Sequence, residues 1–222
     1  MNIFRSSPKS DLLKECIDET VHMLDLGHEM FQLVTTALVQ NAPPEDVRKI
    51  KKMDKEMNRS HRSVRRKVYE HLSLTGNQDL YFSLVLLSIV DDTERVGDYD
   101  KNIAEIITLV PRRLDFGPYT DDFNALWERT NEIFEATIKA FRDDDESAAM
   151  IVLRSYGAIS DMCDDMIDDI IGGDDNEMIN RDLVALMLIV RFFKRVNAHL
   201  KNIASSMTNP FHRIGYRPKD EK

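Results

Sequence analysis

Apolar residues recur along this chain at spacings of three and four, and Gly, Pro and Asn interrupt them often enough to divide the pattern into six long helical stretches. The first predicted helix runs from about Ser10 to Gln40 and ends before Asn41-Ala42-Pro43-Pro44. The second starts at Pro44, with Glu45 and Asp46 at its positive end, and continues to about Leu74, before Thr75-Gly76-Asn77. The third spans about Gln78–Val110 and stops at Pro111. Gly117-Pro118 marks the candidate linker. Beyond it the pattern predicts helices over about Asp121–Arg142, Glu146–Ile171 (up to Gly172-Gly173) and Asn176–Met207 (up to Asn209-Pro210). Phe211–Lys222 shows no periodicity and is expected to be loose. No segment alternates apolar and polar residues with period two, so no sheet is predicted.

The third stretch carries the clearest seam. Phe82, Ile89, Val96, Ile103 and Val110 recur every seven residues, supported by Val85, Leu86, Ile106 and Ile107, which is an apolar stripe facing a bundle core. The same stretch recurs further along the chain. A shift of 100 residues lays 89–105 on 189–205 with eight of seventeen identities and no gap, including Arg95-Val96 on Arg195-Val196 and Lys101-Asn102-Ile103-Ala104 on Lys201-Asn202-Ile203-Ala204. Three helices, repeated, predict an all-α fold of two pseudo-repeated three-helix bundles. The expected division is 1–116, 117–208 and a C-terminal tail 209–222.

Composition agrees and narrows the function. Charged residues make up 31% and breakers are few, with 8 Gly and 7 Pro. The apolar runs around Leu84–Val90 and Leu183–Val190 fall far short of the ~20 residues that cross a bilayer. The N-terminal residues lack a signal-peptide pattern, so a cytoplasmic protein without membrane insertion is expected. Cys16 and Cys163 are expected to be buried thiols. A formal charge of −9 disfavours nucleic acid as a partner. The charge is unevenly placed: residues 45–71 hold ten Lys or Arg against five acids, and residues 142–177 hold twelve acids against two Arg. Solvated faces account for such runs, and so does docking on each other, on a second copy as a homodimer, or on a charged partner.

The two repeats differ in their acids. Asp91, Asp92, Glu94, Asp98 and Glu105 become Arg191, Phe192, Lys194, Ala198 and Ser205. Helical spacing puts Asp91, Glu94, Asp98 and Glu105 on one side of the third helix, opposite the apolar stripe. Their mutual repulsion calls for a counter-charge, either Lys and Arg from the neighbouring helix or a cation suited to carboxylate oxygens, such as magnesium, manganese or iron. No thiolate cluster points to a structural zinc site.

The segment Asp92-Thr93-Glu94-Arg95-Val96-Gly97-Asp98-Tyr99-Asp100-Lys101-Asn102-Ile103-Ala104-Glu105 resembles the Glu-Arg-Ile-Gly-Asp…Asn-Ile segment of the PhoU family, and the two-repeat, six-helix layout agrees from Ser10 to about Met207. In that family a Glu/Asp-x-x-x-Asp motif recurs in each three-helix repeat and holds metal on the bundle surface. The resemblance implies Glu94 and Asp98 as metal ligands, Asp54 and Asn58 as their partners on the preceding helix, and Asp91 as a looser addition. It implies iron, manganese, magnesium or zinc as the metal. The second motif is broken, with Lys194 and Ala198 at the ligand positions and Tyr156 and Ser160 at the places paired with them, so at most one such site is expected, in the first repeat. The implied function is a non-enzymatic regulator of phosphate transport and signalling that docks on a cytoplasmic transporter subunit or on a sensor kinase. The alternatives are a metal-dependent or metal-storing bundle and a metal-free accessory protein of another phosphate transporter. Asp161, Asp164, Asp165 and Asp168 also form Asp-x-x-x-Asp pairs, and Glu19-x-x-His22 is half of a di-iron pattern without its second half. His61, His71 and His199 look scattered, and no phosphate loop or nucleophile–base pairing presents itself.

Overall fold

The computed structural model describes residues 10–39, 47–110, 113–173 and 178–216. Among the described residues the long helices are six: α1 Asp11–Val39, α2 Ile50–Thr75, α3 Leu80–Leu109, α4 Thr120–Asp143, α5 Glu146–Gly172 and α6 Asn180–Ser205, with short 3₁₀ turns at Gly117–Tyr119 and Phe211–Arg213. Among the described residues there is no strand. The helix starts expected at Pro44 and Asn176, the end at Gln40 and the stop at Pro111 lie outside the described residues. No described helix is long and apolar enough to cross a membrane.

α1 packs on α2 and α3, α4 packs on α5 and α6, and the two bundles meet along α3 and α6 with α1 touching α4. Phe82, Ile89, Val96 and Ile103 are buried as the heptad stripe requires. One core runs through both bundles. Phe31 of α1 stacks 5.0 Å from Phe134 of α4 and 5.3 Å from Phe193 of α6, and Phe193 lies 5.3 Å from Phe123. Such ring pairs contribute about 1 kcal/mol each beyond burial, so the repeats are fastened by the same side chains that fill them. Cys16 and Cys163 are buried free thiols. Burial pushes both thiols up to about 12, which keeps them protonated and unreactive.

The repeats join around two positions that differ between them, Asp92/Phe192 and Tyr99/His199. Asp92 of α3 accepts hydrogen bonds from His199 Nδ1 at 2.6 Å and Asn202 Nδ2 at 3.1 Å. Tyr99, one face along, stacks on Phe192 and His199 and accepts from Arg195 Nε at 3.2 Å. Residues early on α3 meet residues late on α6, so the two helices run antiparallel. Asp92 and Phe192 are therefore opposite halves of one asymmetric junction, which explains why the repeat changed there. Asp92 faces α6, away from the side that carries Glu94.

Gly97 is required by close approach. A Cβ there would come within 3.2 Å and 3.4 Å of Met57 Cε and Cγ on α2. Gly97→Val is therefore expected to force α2 and α3 apart and lower stability by about 2 kcal/mol, read as a shift of the urea midpoint, with Gly97→Ala milder because the Met57 side chain can move. An unchanged midpoint for the valine variant would show that the α2–α3 spacing is not set here.

The tail differs from expectation up to Tyr216. Lys201 Nζ donates to the Gly215 carbonyl at 2.6 Å, Gly215 N donates to Ser205 Oγ at 2.7 Å, and Asn209 Nδ2 donates to the carbonyls of Arg213 and Tyr216. Phe211 N donates to the Tyr81 hydroxyl of α3 at 3.0 Å. Gly215 has φ +86°, and Asn202 Oδ1 lies 2.9 Å from where a Cβ would be, so the turn admits only glycine. Side chains of α6 satisfy the backbone of this segment, a device that leaves no hydrophobic periodicity. Residues 217–222 lie outside the described residues.

Candidate functional site

The polar side of α3 faces α2. Along α2, Asp54, Asn58, His61 and Arg65 follow one another at spacings of four, three and four. Along α3, Asp91, Glu94, Asp98 and Lys101 follow at three, four and three. The helices run antiparallel, so the two rows meet as a seam, with Asp54 beside Lys101 and Arg65 beside Asp91. Amphipathic patterning places these rows at the edge of the core contact, and that makes most of the seam half-buried.

Lys101 closes one end of the seam. Its ammonium donates to Asp98 Oδ1 at 2.7 Å and to Asp54 Oδ1 at 3.0 Å, bridging two of the expected ligands. Burial alone would lower the Lys101 pKa, but the hydrogen bonds it donates to both carboxylates outweigh it and raise it, so the ammonium stays charged. Asp98 also accepts from Arg95 Nη1 at 3.2 Å. Glu94 lies 3.8 Å from Arg95 Nε. Desolvation, with the neighbouring Asp98 charge, raises the Glu94 carboxyl above the ordinary range. Asp91 belongs to a separate cluster one turn away, where it accepts from His61 Nε2 at 2.7 Å and Arg65 Nη1 at 2.6 Å. Burial opposes its ionisation, and these two hydrogen bonds overcome that and lower its pKa. Asn58 turns its amide back to the Asp54 carbonyl at 2.9 Å.

The five expected ligands thus divide. Asp54 and Asp98 converge, Glu94 stands beside them, Asp91 is held by His61 and Arg65, and Asn58 donates back to the preceding turn of its own helix. Among the described residues no three His, Cys, Asp or Glu side chains are grouped as a metal ion needs. The donor set as folded does not fit a metal: the point that a cation shared by Asp54 and Asp98 would occupy is filled by the Lys101 ammonium. Glu105, expected on the same face, is exposed and lines a cleft of about 360 Å³ with Arg48, Lys51 and Lys101.

The second repeat preserves the geometry and changes the chemistry. Lys201, the counterpart of Lys101, lies 4.8 Å above the Tyr156 ring, where Lys101 meets Asp54. Lys194, in the place of Glu94, is hydrogen bonded to Asp164 of α5. A carboxylate–lysine contact in one half is a lysine–aromatic contact in the other. Asp164 thereby leaves the Asp-x-x-x-Asp series of α5. Glu19 and His22 reach different partners on α2, Glu19 to Ser63 and Lys67 and His22 to Glu56, and do not converge. His61 and His199 are not scattered but sit in the seam and in the inter-repeat junction. His61, Arg65, Arg95 and Lys101 are the seam residues that an acid-centred reading passes over. The alternation of four and three on α2 is the signal that finds the first two.

Comparison with known proteins matches this geometry. The model of the PhoU domain matches residues 20–107 and 124–207, one segment on each repeat. A relative from Synechocystis sp., described as a phosphate-specific transport system accessory protein PhoU homolog, is 24% identical over 198 residues, covering 88% of each chain. The crystal structure of the phosphate transport system regulatory protein PhoU from Streptococcus pneumoniae superposes with a TM-score of 0.77 at 18% identity, over 88% of this chain and 92% of that one. PhoU from Pseudomonas aeruginosa gives 0.77 at 17% identity, over 88% and 95%. These structures share the six-helix, two-repeat fold. With both repeats matched over most of its length, the chain belongs to the PhoU family.

Proposed function

We propose that this chain is a non-enzymatic, cytoplasmic accessory protein that regulates phosphate transport by docking on a transporter's cytoplasmic subunit or on a sensor kinase. The observation that carries this reading is the match of both repeats to the PhoU domain, together with a relative described as an accessory protein of phosphate-specific transport. The seam between α2 and α3 suits docking, because its charges are paired within the chain yet remain partly open to solvent, and paired surface charges serve recognition more than stability. Loss of the chain from its host is expected to raise phosphate accumulation in phosphate-rich medium and to derepress a phosphate-starvation reporter, with both restored by the parent. Uptake and reporter levels unchanged by its loss would sink the proposal.

A divalent cation would engage Asp54, Glu94 and Asp98 only after Lys101 swings out of the seam. The docking reading does not require it. Elemental analysis of the parent beside the Glu94→Ala/Asp98→Ala double variant reads whether a cation is held there: ions present in the parent and lost in the variant would assign them to this seam.

A further inference from the structure

α2 and α5 lie on separate flanks of the molecule, α2 against α1 and α3, α5 against α4 and α6. The outer face of α2 is a stripe of cations. Arg48, just ahead of α2, and Lys52, Lys55, Arg59, Arg62 and Arg66 follow at alternating spacings of four and three, all exposed, the five on α2 over about 21 Å of helix. Among the described residues, five of the six pair with no carboxylate, and Arg66 alone reaches Glu70, at 3.8 Å. The neighbouring charges of α2 are answered within the chain, Asp54 by Lys101, Arg65 by Asp91 and Lys67 by Glu15 and Glu19, so this stripe is surplus charge rather than part of the fold's own neutralisation.

The corresponding face of α5 is the reverse. The contacts of Lys101 with Asp54 and of Lys201 with Tyr156 align the two helices at an offset of 102 (156 − 54). At that offset Arg59 falls on Asp161 and Arg66 on Asp168. Asp161, Asp165 and Asp168 are exposed, and no ion pair joins them to any described cation. The C-terminal half of this face thus recurs with opposite charge, whereas Lys52 falls on Arg154 and Lys55 on Gly157, and the two faces do not meet within one chain.

We infer that the cationic face of α2 docks on the anionic face of α5 of a second copy, with the two helices antiparallel, giving head-to-tail self-association that salt weakens. The antiparallel register follows from the spacings. Arg59, Arg62 and Arg66 are separated by three and four, and Asp168, Asp165 and Asp161, read in reverse, are separated by three and four as well. All three pairs therefore align at once. That register brings the exposed Tyr69, 72% accessible, to the turn of α5 between Ala158 and Arg154, where an arginine can cover the ring. A parallel register fails on both counts. Its third acid, opposite Arg62, would be Asp164, which Lys194 already holds, and Lys52 would oppose Arg154. Because the two faces are different patches of one surface, the contact is heterologous, so it forms rings where the rotation closes and open chains where it does not.

The test uses the full chain in sedimentation velocity at 50 and 500 mM NaCl, with two triple variants: Arg59→Glu/Arg62→Glu/Arg66→Glu and Asp161→Arg/Asp165→Arg/Asp168→Arg. The parent is expected to associate at low salt, with affinity falling about tenfold or more at high salt as the charges are screened. Each variant alone is expected to remain monomeric, since its two flanks then carry like charge. An equimolar mixture is expected to associate again, because each flank of one variant complements a flank of the other; this rescue also shows that both variants are folded. A parent that is monomeric at 50 mM NaCl overturns the inference, as does association that survives either triple variant or a mixture that stays monomeric. A parent that ignores itself but cosediments with phosphatidylglycerol vesicles would assign the α2 stripe to an anionic lipid surface instead, and overturns it equally.

Discussion

Asp100→Leu is expected to stabilise this protein by about 3 kcal/mol at neutral pH, an unusual direction for a core substitution. Asp100 is fully buried on α3, and neither carboxyl oxygen has a hydrogen-bond partner among the described residues. Its neighbours along the buried face are Val96, Gly97, Ile103 and Ala104. Its repeat counterpart is Leu200, also fully buried. The fold therefore already contains the substituted arrangement once. Leaving a buried polar group unsatisfied costs about 1–3 kcal/mol, and more when it is charged.

The pH dependence follows from the same burial. Desolvation raises the Asp100 pKa well above that of an ordinary carboxylate. In the unfolded chain the group ionises near pH 4. Above that pH, up to the folded-state value, the folded protein holds a proton that the unfolded chain has released. Stability from this group is thus fully present below about pH 4 and declines as pH rises through the window between the two values. Urea denaturation at pH 5 and pH 8 should show the leucine variant gaining more at the higher pH. Asp100→Ala, which adds no volume, should keep the flattened pH slope even if Leu packs imperfectly. If both variants are less stable than the parent and the slope is unchanged, Asp100 has a partner that the fold relies on.

Lys101→Met is expected to turn the α2–α3 seam from an internally neutralised surface into a cation site. The parent holds Asp54 and Asp98 on one ammonium, with side-chain exposures of 17% and 26%. Removing that charge leaves Asp54, Glu94 and Asp98 facing each other with Arg95 and His61 to offset them, so the variant should lose about 1–2 kcal/mol in metal-free buffer. Oxygen donors with net negative charge suit manganese or magnesium. Affinity for either should rise at least tenfold over the parent. At a concentration one hundred times the dissociation constant, the bound ion would restore about 2.7 kcal/mol. Thermal unfolding with and without manganese reads both effects. Equal manganese response in parent and variant would mean that Lys101 does not compete with a cation, and the carboxylates would then hold metal beside it.

The six helices, their repeat and the family they belong to were legible in the sequence because each is written in local spacing. Apolar residues at three and four place a helix face toward the core, Gly and Pro end it, and a repeated helix keeps its packing residues in register. The seam was half legible. The acids of α3 fall on one face by helical geometry alone, but which of them meet, and which basic residue answers each, depends on how α2 is turned and how far it slides. That is a property of packing around Gly97 and Met57, and no spacing along one helix contains it. Lys101 shows the difference most plainly. In the sequence it is one more charged residue after the motif, conserved by the repeat as Lys201. In the fold it lies between two carboxylates in one half and over a tyrosine ring in the other. The ordered turn at 206–216, the joining of Asp92 to His199 and the burial of Asp100 have the same origin. Each depends on side chains far apart in the chain, and only the tertiary structure decides what they touch.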